Sequence, residues 1–543
     1  MSWIALVGPE LEENLALRYL SSSLERAGLR AEIIPFDRRA DLARVIEDIV
    51  GRDDPPMLVG IQLAFQWRAI EMMSLAMGLR ERGYAGHITT GGHFATFSAQ
   101  ELLRDFPELD TVCRHESEQT LVELVEALRD GGSLTAIPGL AVREAGEPRL
   151  TPMRRPPDLE SLPPPARPGL PRRCFGHALA PLVGSRGCYA RCSFCCIAAW
   201  HEQVLPGKRY RLRPAEQVAD EMVALKRERG VEIFIFHDDN FFVPSHKRNL
   251  ERINALADAL EEREIGDFAV VVKARPNDVD PEVFATLQRR LHALRTYVGI
   301  ETDSDQGLVT LSRRLDSRQN HAAIDTLREL GMFGCFNLLI YDPDTTVASI
   351  ETNVDFMEHA ADFPFNFCRT ELYAGTPLLE RLIAEKRVKG DYFFYDYSLR
   401  DAQVERIFRM SIDAFWPRNF GGGALHNEMG GWRLQLETCW HFHPSAWRPA
   451  WREEMIGLHR RVGLDTVAGL REIIAHVRQR SPGTDADLVR ELSPRLRVVE
   501  QDVRKRWLDL HGRMVGAVKA DTRTAGWDMT PLQHAVPEVS FVG

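Results

Sequence analysis

A chain of 543 residues has the length of three to four ordinary domains. Its 44% hydrophobic and 27% charged residues are those of a soluble globular protein, and its formal net charge of −10 argues against nucleic acid as the main partner. No apolar run approaches membrane-spanning length, so no membrane partner is expected, and nine cysteines in so long a chain do not make a disulfide framework. The first residues, Met1-Ser-Trp-Ile-Ala-Leu-Val, have no basic segment and read straight into a strand, so no signal peptide is expected and the predicted location is cytoplasmic.

Residues 1–150 alternate short apolar strands with amphipathic helices. Strands are predicted at 3–7, 31–35, 57–62, 87–90 and 111–113, with helices at 13–27, 41–49, 67–82, 98–106 and 119–128. Leu15, Leu20 and Leu24 give the first helix its apolar face. The alternation predicts an α/β fold, a doubly wound, Rossmann-like parallel sheet, whose ligands bind beyond the carboxyl ends of the strands. Two turns stand at that edge: Gln62-Leu63-Ala-Phe-Gln-Trp67 and Gly91-Gly92-His93-Phe-Ala-Thr96. Paired glycines after a strand permit close backbone approach by a ligand.

Residues 151–175 carry eight prolines, among them Pro163, Pro164 and Pro165, and are predicted to form an ordered, extended linker. From residue 176 the alternation resumes. Strands are predicted at 182–185, 233–237, 268–273, 297–301, 336–340 and 365–372, with helices near 215–229, 246–263, 281–290, 319–330, 347–360 and 377–385. Six βα units to residue 385 suit a partial (β/α)6 barrel, in which residues at the carboxyl ends of the strands form the site. The polar clusters fall there: His237-Asp238-Asp239-Asn240 after the second strand, Lys273-Ala-Arg275 after the third, Gly299-Ile-Glu301 after the fourth and Tyr341-Asp-Pro-Asp-Thr-Thr346 after the fifth.

Residues 386–543 read as a mainly helical domain expected to close the barrel mouth and shape the substrate pocket. Trp416, Trp432, Trp440, Trp447 and Trp451 are concentrated in it, with His426, His441 and His443 nearby. His441-x-His443 is expected on one face of an extended segment in an aromatic cluster rather than on a metal. The tail, 521–543, is expected to be a loosely packed arm.

The first strand of the barrel leads into Gly184-Ser-Arg-Gly-Cys188-Tyr-Ala-Arg-Cys192-Ser-Phe194-Cys195. Three cysteines stand at i, i+4 and i+7. Thiolates are the soft ligands that iron–sulfur clusters take, and three of them leave one iron of a four-iron cube open, the mark of a catalytic site. Zinc would want a fourth Cys or His at short spacing, and Cys196, next door, points away from Cys195. Ordinary buried thiols fit poorly with three of nine cysteines in eight residues.

Cys-x3-Cys-x-Phe-Cys, with Phe194 before the last cysteine, resembles the signature of the radical SAM enzymes. The resemblance implies that Cys188, Cys192 and Cys195 hold a [4Fe–4S] cluster. S-adenosylmethionine (SAM) would then chelate the open iron and be cleaved by electron transfer to a 5′-deoxyadenosyl radical. It assigns the second-strand motif, Asp238, Asp239 and Asn240, to the SAM amino group and places Arg275 and Glu301 near the same ligand. Gly91-Gly92-His93, then His115-Glu116-Ser-Glu118, then Asp158-Leu-Glu-Ser-Leu-Pro-Pro-Pro-Ala-Arg167 resemble the N-terminal half of the cobalamin-binding branch of that family. That resemblance lays the cobalamin tail along Gly91 and Gly92, with Gln62 and Leu63 towards the lower face of the corrin. The first loop, Gly8-Pro-Glu-Leu-Glu-Glu, lacks the Asp-x-His-x-x-Gly of relatives with a His on cobalt, so no protein His is expected there. His115-Glu-Ser-Glu118 stands where Gly-Glu-Gly-Glu is usual, and Asp342-Pro-Asp-Thr-Thr departs from the common fifth-strand form.

The resemblance thus implies a cobalamin-binding domain at 1–150, a radical SAM barrel at 176–385, and an enzyme that methylates an unactivated carbon, or phosphorus, of a small molecule. An external electron donor such as flavodoxin or ferredoxin is implied with it. Cyclisation or rearrangement without methyl transfer is the alternative, and a cofactor-binding sensor that does not consume SAM is a third. An RNA methylthiotransferase is disfavoured, because the N-terminal half has no second cysteine triplet and the chain is acidic.

Overall fold

In the computed structural model the described residues are 3–421, 423–479, 484–520 and 529–530, so the predicted arm at 521–543 lies outside them apart from Met529 and Thr530. The chain divides into two compact units that interleave along the sequence. The first comprises residues 1–169, 185–213 and 371–396, and the second residues 170–184, 214–370 and 397–543.

The first unit is built on a seven-stranded sheet in the order β2-β1-β3-β4-β5-β6-β7. Strands β1 (Trp3–Gly8), β2 (Arg30–Pro35), β3 (Leu58–Gln62), β4 (His87–Gly91) and β5 (Thr111–Cys113) are parallel. The last two, β6 (Leu140–Glu144) and β7 (Glu147–Leu150), are antiparallel and were not expected. They are joined by Ala145-Gly146, both at positive φ, the tight turn that matches strand twist. Strand β1 is buried along its whole length, and alternation sends its side chains to opposite cores. Trp3, Ala5 and Val7 pack with Met72, Leu75 and Leu79, while Ile4 and Leu6 pack with Leu17, Leu24, Leu121 and Leu124. Helices therefore cover both faces, as the alternation predicted. The proline-rich segment is tied to this unit: Arg18 donates to the Ala166 carbonyl at 3.2 Å, Arg26 to that of Ser161 at 2.6 Å, and Arg167 pairs with Glu13 at 2.5 Å.

The second unit is built on β8 (Arg172–Cys174), β9 (His177–Leu182), β12 (Val231–Phe236), β13 (Ala269–Ala274), β14 (Ala293–Val298), β15 (Gly334–Tyr341) and β16 (Phe365–Arg369); between β9 and β12 the chain makes a ribbon, β10 (Ser185–Gly187) and β11 (Tyr210–Leu212), that belongs to the first unit. Apart from the edge hairpin β8–β9, the strands run parallel and in sequence order. With right-handed crossovers, sequential order keeps every helix on one face, so the sheet curls into a half-barrel. Three predicted strands need correction: the sixth ends at Arg369 and not at residue 372, and the first and fourth are also displaced. The first barrel strand ends at Leu182 and not at Ser185, because Ser185–Gly187 pairs with β11. The fourth ends at Val298, because Glu301 takes a left-handed φ of 66° that breaks the extended chain.

The C-terminal part is helical, as expected, in Ala402–Phe415, Leu425–Phe442, Pro449–Gln479 and Asp485–Lys519. Trp432 stacks on Trp507 at 5.3 Å in its core. His441 lies in a helix, not in an extended segment, and His443 caps it. Helix Leu425–Phe442 packs Leu434 and Phe442 against Ile233, Val271 and Leu294 on the half-barrel sheet.

Candidate active site

The cysteine loop is held at both ends by ribbon β10–β11. Gly187 has φ of +88°, and a side chain there would strike the Arg209 carbonyl oxygen, so only glycine lets the loop leave the ribbon at this angle. Arg209 clips the loop internally, donating to the Tyr189 carbonyl at 2.8 Å and pairing with Glu202 at 2.6 Å. The Leu378 N–H donates to the Ser193 carbonyl at 2.9 Å. Cys195 is the N-cap of helix Cys196–Val204. Burial raises the Cys195 thiol well above its ordinary range, and the neighbouring Cys196, Cys192 and Cys188 sulfurs raise it further. Such a crowd of soft sulfurs at a helix N-terminus, the positive end of its dipole, is a donor set for a bound group that carries positive charge among thiolates. Among the described residues no three His, Cys, Asp or Glu groups converge on one ion. A cube separates its irons, so its cysteines need not converge. Phe194 is half-buried beside them.

The acids of His115-Glu-Ser-Glu118 turn out to hold this loop in place, a role that sequence reasoning missed. Arg186 and Arg211 are cross-strand partners on the ribbon. Arg186 donates to Glu116 at 2.6 Å and to Glu118 at 2.7 Å, and Arg211 also pairs with Glu116. Arg186 lies over the Tyr19 ring at 4.7 Å. Burial alone would push the Glu116 carboxyl up, but Arg186 and Arg211 outweigh it and hold the group below the usual carboxylate range. Two acids two residues apart, and two arginines 25 residues apart around a predicted loop, carry no pairing signal by themselves; the ribbon creates it.

At the carboxyl edge of the first sheet, Gly92 has φ of +121°, and a Cβ there would come 2.7 Å from the Leu63 carbonyl oxygen and 2.9 Å from the Ala64 nitrogen. The close approach that Gly92 permits is thus made by the chain's own loop after β3. Three hydrogen bonds join the two turns: Leu63 N–H to the Gly91 carbonyl, Ala95 N–H to that of Leu63 and Phe94 N–H to that of Ala64. A Val at 92 would displace that loop first. Gln62 is engaged from the other side, exchanging amide hydrogen bonds with Asn14 in the first loop. Leu63 is buried, and Gly91, Gly92 and His93 are half-buried. His93 and His115 both pack on Trp200, with ring centroids at 4.4 and 5.4 Å. Trp200 stands one turn after the cysteines, so the glycine turn, the β5 loop and helix Cys196–Val204 share one aromatic contact. No motif in the sequence singles it out.

The second unit brings its predicted residues to the carboxyl ends of its strands. Asp238 is fully buried and accepts the Gly184 N–H at 2.7 Å, which fixes the end of β9. Asn240 is buried and donates to the Phe242 carbonyl at 3.0 Å and to Asp278 at 2.9 Å. Asp239 between them is exposed. Glu301 faces Arg313 and Arg275; burial pushes its carboxyl up, and the two guanidinium groups oppose the shift. Arg275 donates to the Arg313 carbonyl at 2.6 Å, and Arg313 to that of Gly299, so the arginines also brace the strand end. Arg313 was not foreseen. It lies between Ser312 and Arg314, both at positive φ, in a loop without regular spacing. Asp342 is buried, and its carboxylate accepts the Asp344 N–H at 2.9 Å and the Thr345 hydroxyl at 2.8 Å, so it shapes its own turn.

A radical SAM superfamily model matches residues 182–357 and a B12-binding domain model matches residues 4–125. The chain is a radical SAM enzyme with a B12-binding domain, and these domains imply cobalamin, a [4Fe–4S] cluster and SAM as its cofactors. An uncharacterised methyltransferase of Pyrococcus horikoshii is 28% identical over 386 residues, 68% of this chain and 78% of the relative. The hopanoid C-3 methylase of Methylococcus capsulatus is 30% identical over 351 residues, 61% of each chain. The 4′-phospho-dehydrooxetanocin synthase of Priestia megaterium is 25% identical over 384 residues, 64% of this chain and 48% of that one. The fold is shared with the cobalamin-dependent radical enzyme OxsB, solved with aqua-cobalamin and SAM bound, at a TM-score of 0.67 over 96% of this chain and 81% of that one, with 17% identity. Among the described residues no helix is long and apolar enough to cross a membrane.

The different settings of the strand-end acids separate two kinds of variant. Asp239→Asn and Glu301→Gln are expected to weaken SAM binding by about ten- to a hundredfold, the loss of one hydrogen bond to a charged group. Asp238→Asn is expected to act on the fold around Gly184 and to lower the melting temperature. Equilibrium dialysis with SAM, beside a thermal melt, checks both; unchanged SAM affinity in Asp239→Asn and Glu301→Gln contradicts their placement.

Proposed function

We propose that this protein is a methyltransferase that moves a methyl group from SAM, by way of cobalamin, to an unactivated carbon or to phosphorus of a small molecule. The observation that carries the reading is its similarity to two relatives named for methyl transfer, one spanning 68% of the chain. When bound, the cluster supplies the electron that cleaves SAM, SAM supplies the radical and the methyl group, and cobalamin supplies a methyl carrier. Cys188, Cys192 and Cys195 would hold the cluster, with Phe194 packed beside it. Asp239, Glu301 and Arg275 would bind SAM, and Asp238 and Asn240 would keep that strand end in shape. Gln62, Leu63, Gly91, Gly92 and His93 would form the floor for the corrin and its tail. The chain's own task is to orient these groups and to exclude water, which supply much of the rate in such chemistry. We take the electron donor to be external, a flavodoxin or ferredoxin, the setting to be the cytoplasm, and the functional regions to be 1–150, 176–385 and 386–543.

The test is incubation of the anaerobically reconstituted protein with reductant, SAM carrying a deuterated methyl group, and a small-molecule extract. A metabolite that gains the labelled methyl, with S-adenosylhomocysteine and 5′-deoxyadenosine formed together, is expected. Substrate-dependent 5′-deoxyadenosine with an unlabelled product would establish the second reading, cyclisation or rearrangement, which similarity to a relative named as an anaerobic magnesium-protoporphyrin IX monomethyl ester cyclase supports.

A further inference from the structure

The inner face of the half-barrel carries positive charge that no carboxylate among the described residues answers. Alternate residues of a strand share a face, and strand register fixes which of them stand together. Val271 pairs with Arg295, Lys273 with Tyr297, Tyr297 with Cys335, and Asn337 with Asn366. Lys273, Arg295, Tyr297, Cys335 and Asn337 are half-buried, while Val270, Val272, Thr296 and Phe336 between them are buried on the helix-covered face. The Asn337 side chain approaches the Tyr297 hydroxyl. At the amino ends of the strands this face is apolar, with Ile233, Val271 and Leu294 packed against Leu434 and Phe442. The half-barrel is therefore a cup with an apolar floor and a polar wall.

Neither Lys273 nor Arg295 has an ion pair among the described residues, and the Arg295 Nε is buried without a hydrogen-bond partner. They stand on adjacent strands two residues apart in register, about 7 Å along the strand direction. The neighbouring carboxylate, Glu301, is taken by Arg313 and Arg275. Gln435 on the floor helix is fully buried, and neither atom of its amide has a partner. It lies three residues before Thr438, hence on the same helix face, and the Thr438 hydroxyl meets Cys174 of the sheet at 3.5 Å. Cations and amides withdrawn from water without partners are costly, and a bound group of opposite charge removes that cost.

We propose that this cup binds an oxyanion of the substrate, a carboxylate or phosphoryl group, with Lys273 as its main counter-charge, Arg295 beneath it, and Tyr297 and Asn337 as hydrogen-bond donors. The inference names the substrate class of the proposed methyltransferase and rests on that reading only in taking the half-barrel as the substrate chamber. SAM has a carboxylate of its own, so the experiment separates the two sources.

The reconstituted full chain, with saturating SAM, is dialysed against radiolabelled inorganic phosphate and, separately, acetate; SAM affinity is measured alongside. At least one probe is expected to bind in the presence of SAM. Lys273→Met should weaken that binding by about ten- to a hundredfold, with SAM affinity unchanged, and Lys273→Arg should restore it to within a few-fold. Iron content and circular dichroism of each variant report folding. Binding of neither probe overturns the proposal, as does equal binding by wild type and Lys273→Met. A loss of SAM affinity in Lys273→Met with probe binding intact assigns the lysine to SAM and overturns it too. No arm reads methyl transfer, so an unlabelled product in the functional assay leaves this result standing.

Discussion

Replacing any one of Cys188, Cys192 or Cys195 with Ala is expected to abolish reductive SAM cleavage and to reduce iron and sulfide content sharply, while Cys196→Ala retains both. A cube with three protein ligands has none to spare, and loss of one opens a second iron to solvent. Cys196 is the first residue of the helix, not the residue that caps it. Iron and sulfide assays after anaerobic reconstitution, with 5′-deoxyadenosine measured chromatographically, check this. Full cleavage by any of the first three variants would sink the cluster assignment, and loss in Cys196→Ala would move it.

The second large effect is expected from Glu116→Gln. Glu116 answers two largely buried arginines, Arg186 and Arg211, and its removal leaves Arg186 with Glu118 and Arg211 with the Pro157 carbonyl. Breaking a buried pair by removing one partner costs about 3–5 kcal/mol, because the other charge stays buried. The apo-protein should melt earlier by a margin of that size, and the reconstituted protein should hold less iron, because the ribbon that carries the cysteines is no longer fixed. The sign of the pH dependence follows from the direction of the shift. The Glu116 carboxyl lies below its unfolded value of 4.5 in the folded protein, so its stabilisation is full above that pH and is lost as pH falls through the lower, folded value. Melting of the apo-protein from pH 7 down to strongly acid pH should show a gap between wild type and Glu116→Gln that is constant above pH 4.5 and narrows only below it. Parallel curves, or equal stability at pH 7, would rule out the pairing as the anchor of the loop.

Much of the molecule is legible in the amino-acid sequence. The strands of both sheets are short apolar runs, Trp3–Gly8 and Ala269–Ala274 among them, and parallel strands buried on both faces must read that way. The six βα units and the cysteine spacing are local in sequence, and local periodicity and spacing are what a sequence displays. The strand-end acids can be picked out for the same reason, since βα loops always bring their residues to one edge.

What each acid does is decided only by tertiary structure. Asp238, Asp239 and Asn240 are consecutive, yet two of them are spent on Gly184 and Asp278 and the third is exposed, because a turn after a strand points neighbouring side chains in different directions. Gly92 reads as a place for a ligand, but the backbone that comes close is that of Leu63 and Ala64, in the loop after the neighbouring strand β3. The link from Glu116 and Glu118 to Arg186 and Arg211 spans about 70 to 95 residues and depends on a ribbon that neither apolar pattern nor turn chemistry announces. Composition and periodicity report which residues leave water, and so they determine the strands and helices. Which buried charge meets which is set by the register of strands and the crossing of loops, and that information exists only once the chain has folded.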